Sequence, residues 1–252
     1  MALPKQNLFN VNFTLTNYHQ AAQIIVDNGI KHDSFGVSAL AVHGLIESYR
    51  NPDICTKVNK IDFVVPDGQP IRWALNFFYN TELKDRVYGP QLTLEVLKQA
   101  NAKNLKVFLF GSTELTLQKF TLFITTMFPE VEICGIHIDR FREATPEEDA
   151  ADIRKINESG ANIVLVGRGC PRQEIWVSDH LGKINAAMMA VGAAFDFHAG
   201  VIKQAPRWMQ QRGLEWLYRL VKEPKRLWKR YLITNSFFIY LVIKKILFPK
   251  WD

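Results

Sequence analysis

Six short apolar runs, each closed by Gly, Pro or Asp, recur along this chain with helix-length segments between them. They are Phe35–Val42, Ile61–Val65, Lys106–Phe110, Val131–Ile136, Asn162–Val166 and Ala187–Val191. Runs without polar alternation belong to strands covered on both faces. The intervening segments Tyr18–Asn28, Gln91–Ala102, Leu115–Phe128, Pro146–Glu158 and Arg172–Leu181 repeat apolar residues at helical spacing. Thr145-Pro146-Glu147-Glu148 marks a helix start: Thr145 can cap, Pro146 suits the first helical position, and Glu148 can close a capping box. This alternation predicts an α/β fold: a Rossmann-like, mostly parallel sheet covered by helices. A length of 252 residues suits one large α/β domain or two small ones. No repeat, low-complexity tract or Pro/Gly-rich linker interrupts it.

Charge marks the one shift in composition. The formal total is +6, but residues 201–252 hold twelve Lys/Arg against three acids, a net +9 that leaves −3 for residues 1–200. Four of the six tryptophans, Trp208, Trp216, Trp228 and Trp251, also lie in this tail. The chain is therefore expected to divide into an α/β domain, 1–200, and a basic amphipathic helical appendage, 201–252. In the appendage Trp216, Leu217, Leu220, Val221, Leu227, Trp228 and Tyr231 share one helical face. Arg219, Lys222, Arg226 and Lys229 share the other, and Pro224 restarts the helix. Such a stripe could complete the core with its charges in water. An almost purely basic polar face rich in Trp suits anionic lipid better, and the membrane-surface reading ranks ahead.

The apolar share of 48% excludes a wholly disordered chain. Cys55, Cys134 and Cys170 support neither a disulfide framework nor a zinc site. MALPKQNLFNVNF lacks the apolar core of a signal peptide. Tyr231–Phe248 is broken by Asn235, Ser236 and Lys244-Lys245, against the roughly 20 apolar residues that a bilayer span requires. The expected location is cytoplasmic and peripheral, on the inner face of the cell membrane.

Open parallel sheets bind ligands beyond the carboxyl ends of their strands. Three loops there carry polar residues. Val65-Pro66-Asp67-Gly68 is either a routine turn or a strand tip presenting a carboxylate able to take a proton from a hydroxyl. Gly111-Ser112 stands between a strand and a helix, where backbone N–H groups can meet a phosphate. Gly167-Arg168-Gly169-Cys170-Pro171-Arg172-Gln173-Glu174 turns on two glycines and opens a helix. It is not the dinucleotide fingerprint, because the third glycine is missing, and Arg172 and Gln173 would reach over the sheet. Asp196, after the last strand, either orients a ligand or caps a turn. The six histidines show no metal spacing, and Asp-x-Asp, Walker A and Ser-elbow motifs are absent.

The strings VVPDGQPIRWAL, RVYGPQLT, VFLFGS, GRGCPRQEIW and VGAAFDFHAGVIKQAPRWMQQRGLEWLYRLVKEPKRLWKRYL closely resemble the WecG/TagA/CpsF family of bacterial glycosyltransferases (glycosyltransferase family 26), over roughly residues 8 to 232. The resemblance implies an inverting transferase that moves a sugar, often N-acetylmannosamine or its uronic acid, from UDP onto an undecaprenyl-diphosphate-linked acceptor. The products are teichoic acid, enterobacterial antigen, capsule or exopolysaccharide. It also implies a metal-free site and a C-terminal appendage that meets the membrane and helps close that site. By position, Asp67 matches the catalytic base and Gln173 a polar pocket residue. Arg219, Arg226 and Arg230 match the basic residues facing the diphosphates. Two departures stand out: Ala39-Leu40-Ala41 replaces the family's Thr-x-Asn, and Gln91 replaces an acidic residue after RVYG.

The expected partners are a UDP-sugar, a lipid-diphosphate-linked acceptor and an anionic membrane met through residues 201–252, with no nucleic acid and with a homo-oligomer as an option. No cofactor is expected. Gly68, Gly111, Ser112, Gly167, Gly169, Pro171, Arg172, Gln173 and Asp196 are expected to bind substrate beside Asp67, and Lys222, Lys225 and Lys229 to face headgroups. The alternatives are a nicotinamide-dependent Rossmann oxidoreductase and, ranked third, a basic nucleic-acid-binding protein.

Overall fold

Every one of the six apolar runs forms a strand of a single sheet in the computed structural model, which describes residues 3–249. Lys250, Trp251 and Asp252, part of the tail by sequence, lie outside the described residues. The chain opens with a hairpin, β1 (Lys5–Leu8) and β2 (Val11–Thr14), then α1 (Tyr18–Ile30). Next come β3 (Phe35–Leu40), α2 (Val42–Arg50), α3 (Pro52–Lys60), β4 (Phe63–Pro66) and α4 (Gln69–Tyr79). The alternation continues with α5 (Gly89–Asn101), β5 (Lys106–Gly111), α6 (Glu114–Met127), β6 (Glu132–His137) and α7 (Pro146–Glu158). It closes with β7 (Ile163–Gly167), α8 (Arg172–His180), β8 (Ala187–Ala190) and the short α9 (Ala194–His198). The tail holds α10 (Arg207–Gln211), α11 (Glu215–Lys222) and α12 (Pro224–Leu247).

The sheet runs β4-β3-β8-β7-β5-β6 with every neighbouring pair parallel, so the α/β class stands as expected. Side chains alternate along each strand between two hydrophobic clusters, one on each face. Val164 and Val166 pack with Phe110 and Met188 on one side. Ile163 and Leu165 pack with Leu109 and Met189 on the other. Burial on both faces is why these strands read as unbroken apolar runs.

Helix boundaries follow local chemistry. Thr145 and Glu148 form the expected capping box at the start of α7. Between α2 and α3, Asn51 is held extended ahead of Pro52, and its side chain accepts from the Asp53 N–H at 3.0 Å. The helices α2, α3 and α4 and the hairpin went unread in the sequence. The hairpin turns on Phe9 and Asn10, both at positive φ, without the glycine that usually advertises such a turn.

In the tail, α11 ends before Pro224 and α12 starts on it, as the proline predicts. The apolar stripe does not complete the core there. Leu227 is buried, but Trp216, Leu217, Val221 and Trp228 are exposed. Farther along α12, Phe238 and Leu241 enter the cluster that holds Leu45 and Ile46 of α2. Among the described residues no helix is long and apolar enough to cross a membrane.

Leu165 is fully buried on an interior strand. Leu165→Ala should lower stability by about 2–5 kcal/mol, read as an earlier urea midpoint with an unchanged slope.

Candidate active site

Six parallel strands bring their carboxyl ends to one edge, and the tail helices lie over that edge. Between them is a cavity of about 300 Å³. Its floor is apolar, from Ala39, Leu40 and Val191 at the strand ends. Its walls are Asp67, Ser112, Gly167, Gly169, Gln173, Glu174 and Asp196 from the loops and helix starts beyond them. Its roof is Glu215, Trp216, Arg219, Arg226, Arg230 and Tyr231 from α11 and α12.

Asp67 follows β4 directly. Its N–H donates to the Leu40 carbonyl at 3.2 Å and its Oδ1 accepts from the Gly89 N–H at 3.3 Å, which fixes the carboxylate between two loops. Burial pushes the carboxyl up to about 7, the neighbouring Arg86 pulls against this, and Glu215 adds to the rise. A carboxylate that titrates near neutral pH is matched to general-base work there.

The start of α8 supplies a second polar group. Glu174 is 1% exposed; its Oε1 accepts from Gln173 Nε2 at 2.9 Å and from Ser38 Oγ at 3.2 Å. Burial raises its carboxyl above the ordinary range. Glu174 Oε2 and Gln173 Oε1 have no hydrogen-bond partner within the protein. Opposite them, the Nε groups of Arg219 and Arg230 are also buried without a partner. The cavity is thus polarised, with free acceptors on the α8 wall and free donors on the roof. His43 lies in the same cavity, and burial, reinforced by Arg230, lowers its imidazole to about 4, so it is neutral at pH 7.

The tail is seated by specific contacts. Arg86 Nη2 donates to Glu215 Oε2 at 2.7 Å, and Tyr88 O–H donates to Glu215 Oε1 at 2.7 Å. The Arg86 guanidinium stacks 4.1 Å from the Tyr88 ring centre. Arg219 lies 5.5 Å over the Phe197 ring, and Gly213 is so close to Trp73 that a Cβ would sit 2.8 Å from its ring. Arg226 pairs with Glu223.

This layout of parallel-sheet edge, carboxylate and arginine roof coincides with a family match along nearly the whole chain. Residues 6–252 match the model of the Glycosyl transferase WecG/TagA/CpsF family. The chain belongs to that family. It is therefore a glycosyltransferase of cell-surface polysaccharide biosynthesis.

The residues expected at the site divide between this cavity and other places in the fold. Asp67, Gly68, Ser112, Gly167, Gly169, Gln173, Asp196, Arg219, Arg226 and Arg230 all line the cavity. Asp196 Oδ1 accepts from Thr116 Oγ1 at 3.3 Å, and burial raises its carboxyl while Arg226 and Arg219 pull it down.

Gly111, Pro171 and Arg172 do not line it. Gly111 serves the backbone: its φ is +104°, and a Cβ would fall 2.8 Å from the Gly167 carbonyl oxygen. Pro171, joined to Cys170 by a cis peptide, precedes α8. Arg172 points elsewhere because successive helical residues are rotated by about 100°. Its guanidinium joins that of Arg168 on Asp139, at 3.2 and 3.4 Å, beside a separate cavity of about 440 Å³.

Of the two departures from the family pattern, Ala39 and Ala41 do line the main cavity. Gln91 does not: it is exposed and pairs with Glu95 at 3.2 Å. The sequence reading missed Arg86, Tyr88, Glu174 and Glu215. Glu174 directly follows Gln173 and could have been found by asking what orients that amide. Among the described residues no cluster of three or more His, Cys, Asp or Glu could hold a metal ion.

Gly111→Ala should destabilise the protein by more than about 1 kcal/mol, since it forces a strained φ and a backbone clash. Thermal unfolding of the purified variant measures this.

Proposed function

We propose that this glycosyltransferase is an inverting enzyme that transfers a sugar from UDP to an undecaprenyl-diphosphate-linked acceptor at an anionic membrane surface, with Asp67 as the base. The observation that carries the reading is a near-neutral carboxylate facing an arginine roof across a polarised cavity. The acceptor hydroxyl gives its proton to Asp67 as its oxygen attacks the anomeric carbon. The bond from that carbon to the UDP oxygen breaks on the opposite face, and UDP leaves carrying the electron pair. Negative charge grows on the departing diphosphate, and donors already aimed at it lower the barrier. Arg219, Arg226 and Arg230 line the roof of the cavity, and they are proposed to stabilise that charge without a metal. Sugar hydroxyls fit the free acceptors Gln173 Oε1 and Glu174 Oε2 on the α8 wall.

The outer face of the tail fits the acceptor's home. Trp208, Val221, Trp228 and Leu232 are exposed beside the exposed Lys222, Lys225 and Lys229. An amphipathic element of this composition lies in the headgroup region, where each basic residue contributes on the order of 1 kcal/mol. The proposed location is therefore peripheral, on the inner face of the cell membrane. The departures at Ala39 and Ala41 bear on which sugar is accepted, and N-acetylmannosamine, its uronic acid and related hexoses are the donors to compare.

The deciding experiment screens UDP-sugars for UDP release in the presence of a short-chain lipid-diphosphate acceptor. One donor should give acceptor-dependent turnover that survives EDTA; absence of release with every UDP-sugar overturns the donor class. Asp67→Asn should lower turnover about 10²–10⁴-fold with folding intact. Wild-type activity should fall as pH drops below about 7, because the base is then protonated. Trp208→Ser with Trp228→Ser should weaken pelleting with phosphatidylglycerol vesicles, and unchanged pelleting would remove this face as the anchor.

A further inference from the structure

The Arg86–Glu215 pair joins two regions that the proposed chemistry treats separately, the body that holds the base and the tail that holds the arginines. Glu215 opens α11 and its carboxylate is nearly buried, 12% exposed against 8% for the Arg86 side chain. It is one of only three acids in a strongly basic tail, and the second of them, Glu223, is taken by Arg226. Glu215 instead faces the body and takes a hydrogen bond from each of Arg86 and Tyr88.

All three side chains line the cavity with Asp67. The charged and titratable groups acting on Asp67 are Arg86 and Arg219, which favour its anion, and Glu215, which disfavours it. Tyr18 and Tyr88 also lie within electrostatic reach of it, both held neutral by burial, and the Gly89 N–H donates to it. Arg86 is thus shared between two carboxylates. With Glu215 in place the guanidinium is held by the tail. After Glu215, Asp67 is the carboxylate that acts most strongly on the Arg86 guanidinium, and an aspartate paired with arginine is a weak base.

We propose that Glu215 is a positioning residue that couples seating of the tail to the strength of the base: by holding Arg86 it keeps that guanidinium from neutralising Asp67. The proposal rests on the reading of Asp67 as base. It makes α11 act twice. Arg219 stands four residues after Glu215, on the same face of the helix. Seating that one face both frees Asp67 and delivers an arginine towards the leaving diphosphate. The enzyme then has its full base only when the tail, and with it the proposed membrane face, is in place.

The test uses the full-length enzyme with ¹³C-labelled aspartate and reads the Asp67 carboxyl carbon through a pH titration, assigned by its loss in Asp67→Asn. Glu215→Gln keeps the shape of the side chain, and its amide oxygen can still accept from Arg86 or Tyr88. In that variant the Asp67 titration and the acidic limb of kcat/KM should both move about one pH unit lower, a tenfold change in the protonation equilibrium. Arg86→Gln leaves Glu215 charged and should move the Asp67 titration in the opposite direction. This second variant also stands if Glu215→Gln unseats the tail. An Asp67 titration that stays at the wild-type pH in both variants overturns the coupling, whatever their rates. An Asp67→Asn enzyme with wild-type turnover overturns the base itself, and the coupling with it. An inactive Asp67→Asn enzyme with unmoved titrations overturns the coupling alone.

Discussion

Six adjacent strands that all run in the same direction have all their carboxyl ends on one edge, and everything functional in this molecule is a consequence of that edge. Parallel pairing requires crossovers, the crossovers are helices, and the helices bury both faces of the sheet. What remains accessible is the line where strands stop and helices begin. There the chain changes character within one or two residues. Val65 and Val166 are core, whereas Asp67, Gly68 and Gly167 line the cavity. The floor and walls of the site are thus assembled from loops that follow different strands.

A sheet edge supplies a floor and walls but no roof. The roof is α11 and the start of α12, and its charge distribution is the reverse of an ordinary surface helix. Arg219 and Arg230 are half-buried towards the cavity, while Val221, Trp228 and Leu232 are exposed away from it. Arginine turns inwards because the cavity already holds Asp67, Glu174, Asp196 and Glu215. Tryptophan outwards is costly in water, but it is favourable at a lipid interface, where its ring meets apolar and polar surroundings together. One segment can therefore serve the chemistry and the proposed membrane contact, because each function uses a different face of the same helices.

The strands were legible in the sequence because burial on both faces writes a continuous apolar run. The capping box at Thr145 and the helix break at Pro224 were legible because each depends on chemistry within a few residues. Much of the site was legible for a similar reason: the first polar residue after a strand is at the ligand edge wherever that strand lies in the sheet. What failed was everything that needs a direction in space or a distant partner. Arg172 and Gln173 are adjacent in one helical turn, and the sequence could not say which one looks into the cavity. The hairpin turn at Phe9-Asn10 carries no glycine. The Arg86–Glu215 pair spans 129 residues, and at one end it resembles an ordinary loop arginine, at the other an ordinary helix-start glutamate.

The free acceptors and donors in the cavity bear on how selective such a site can be. A buried polar atom left without a partner costs on the order of 1–3 kcal/mol. Gln173 Oε1, Glu174 Oε2, Arg219 Nε and Arg230 Nε all carry this cost in the protein alone. A ligand that offers hydroxyl donors to the α8 wall and phosphate acceptors to the roof removes it at both ends together. A ligand that reverses the two, or lacks one, leaves part of the cost in place. Discrimination then comes from the orientation that the ligand must adopt rather than from a close fit of shape, since the floor between the two walls is small and apolar at Ala39 and Ala41.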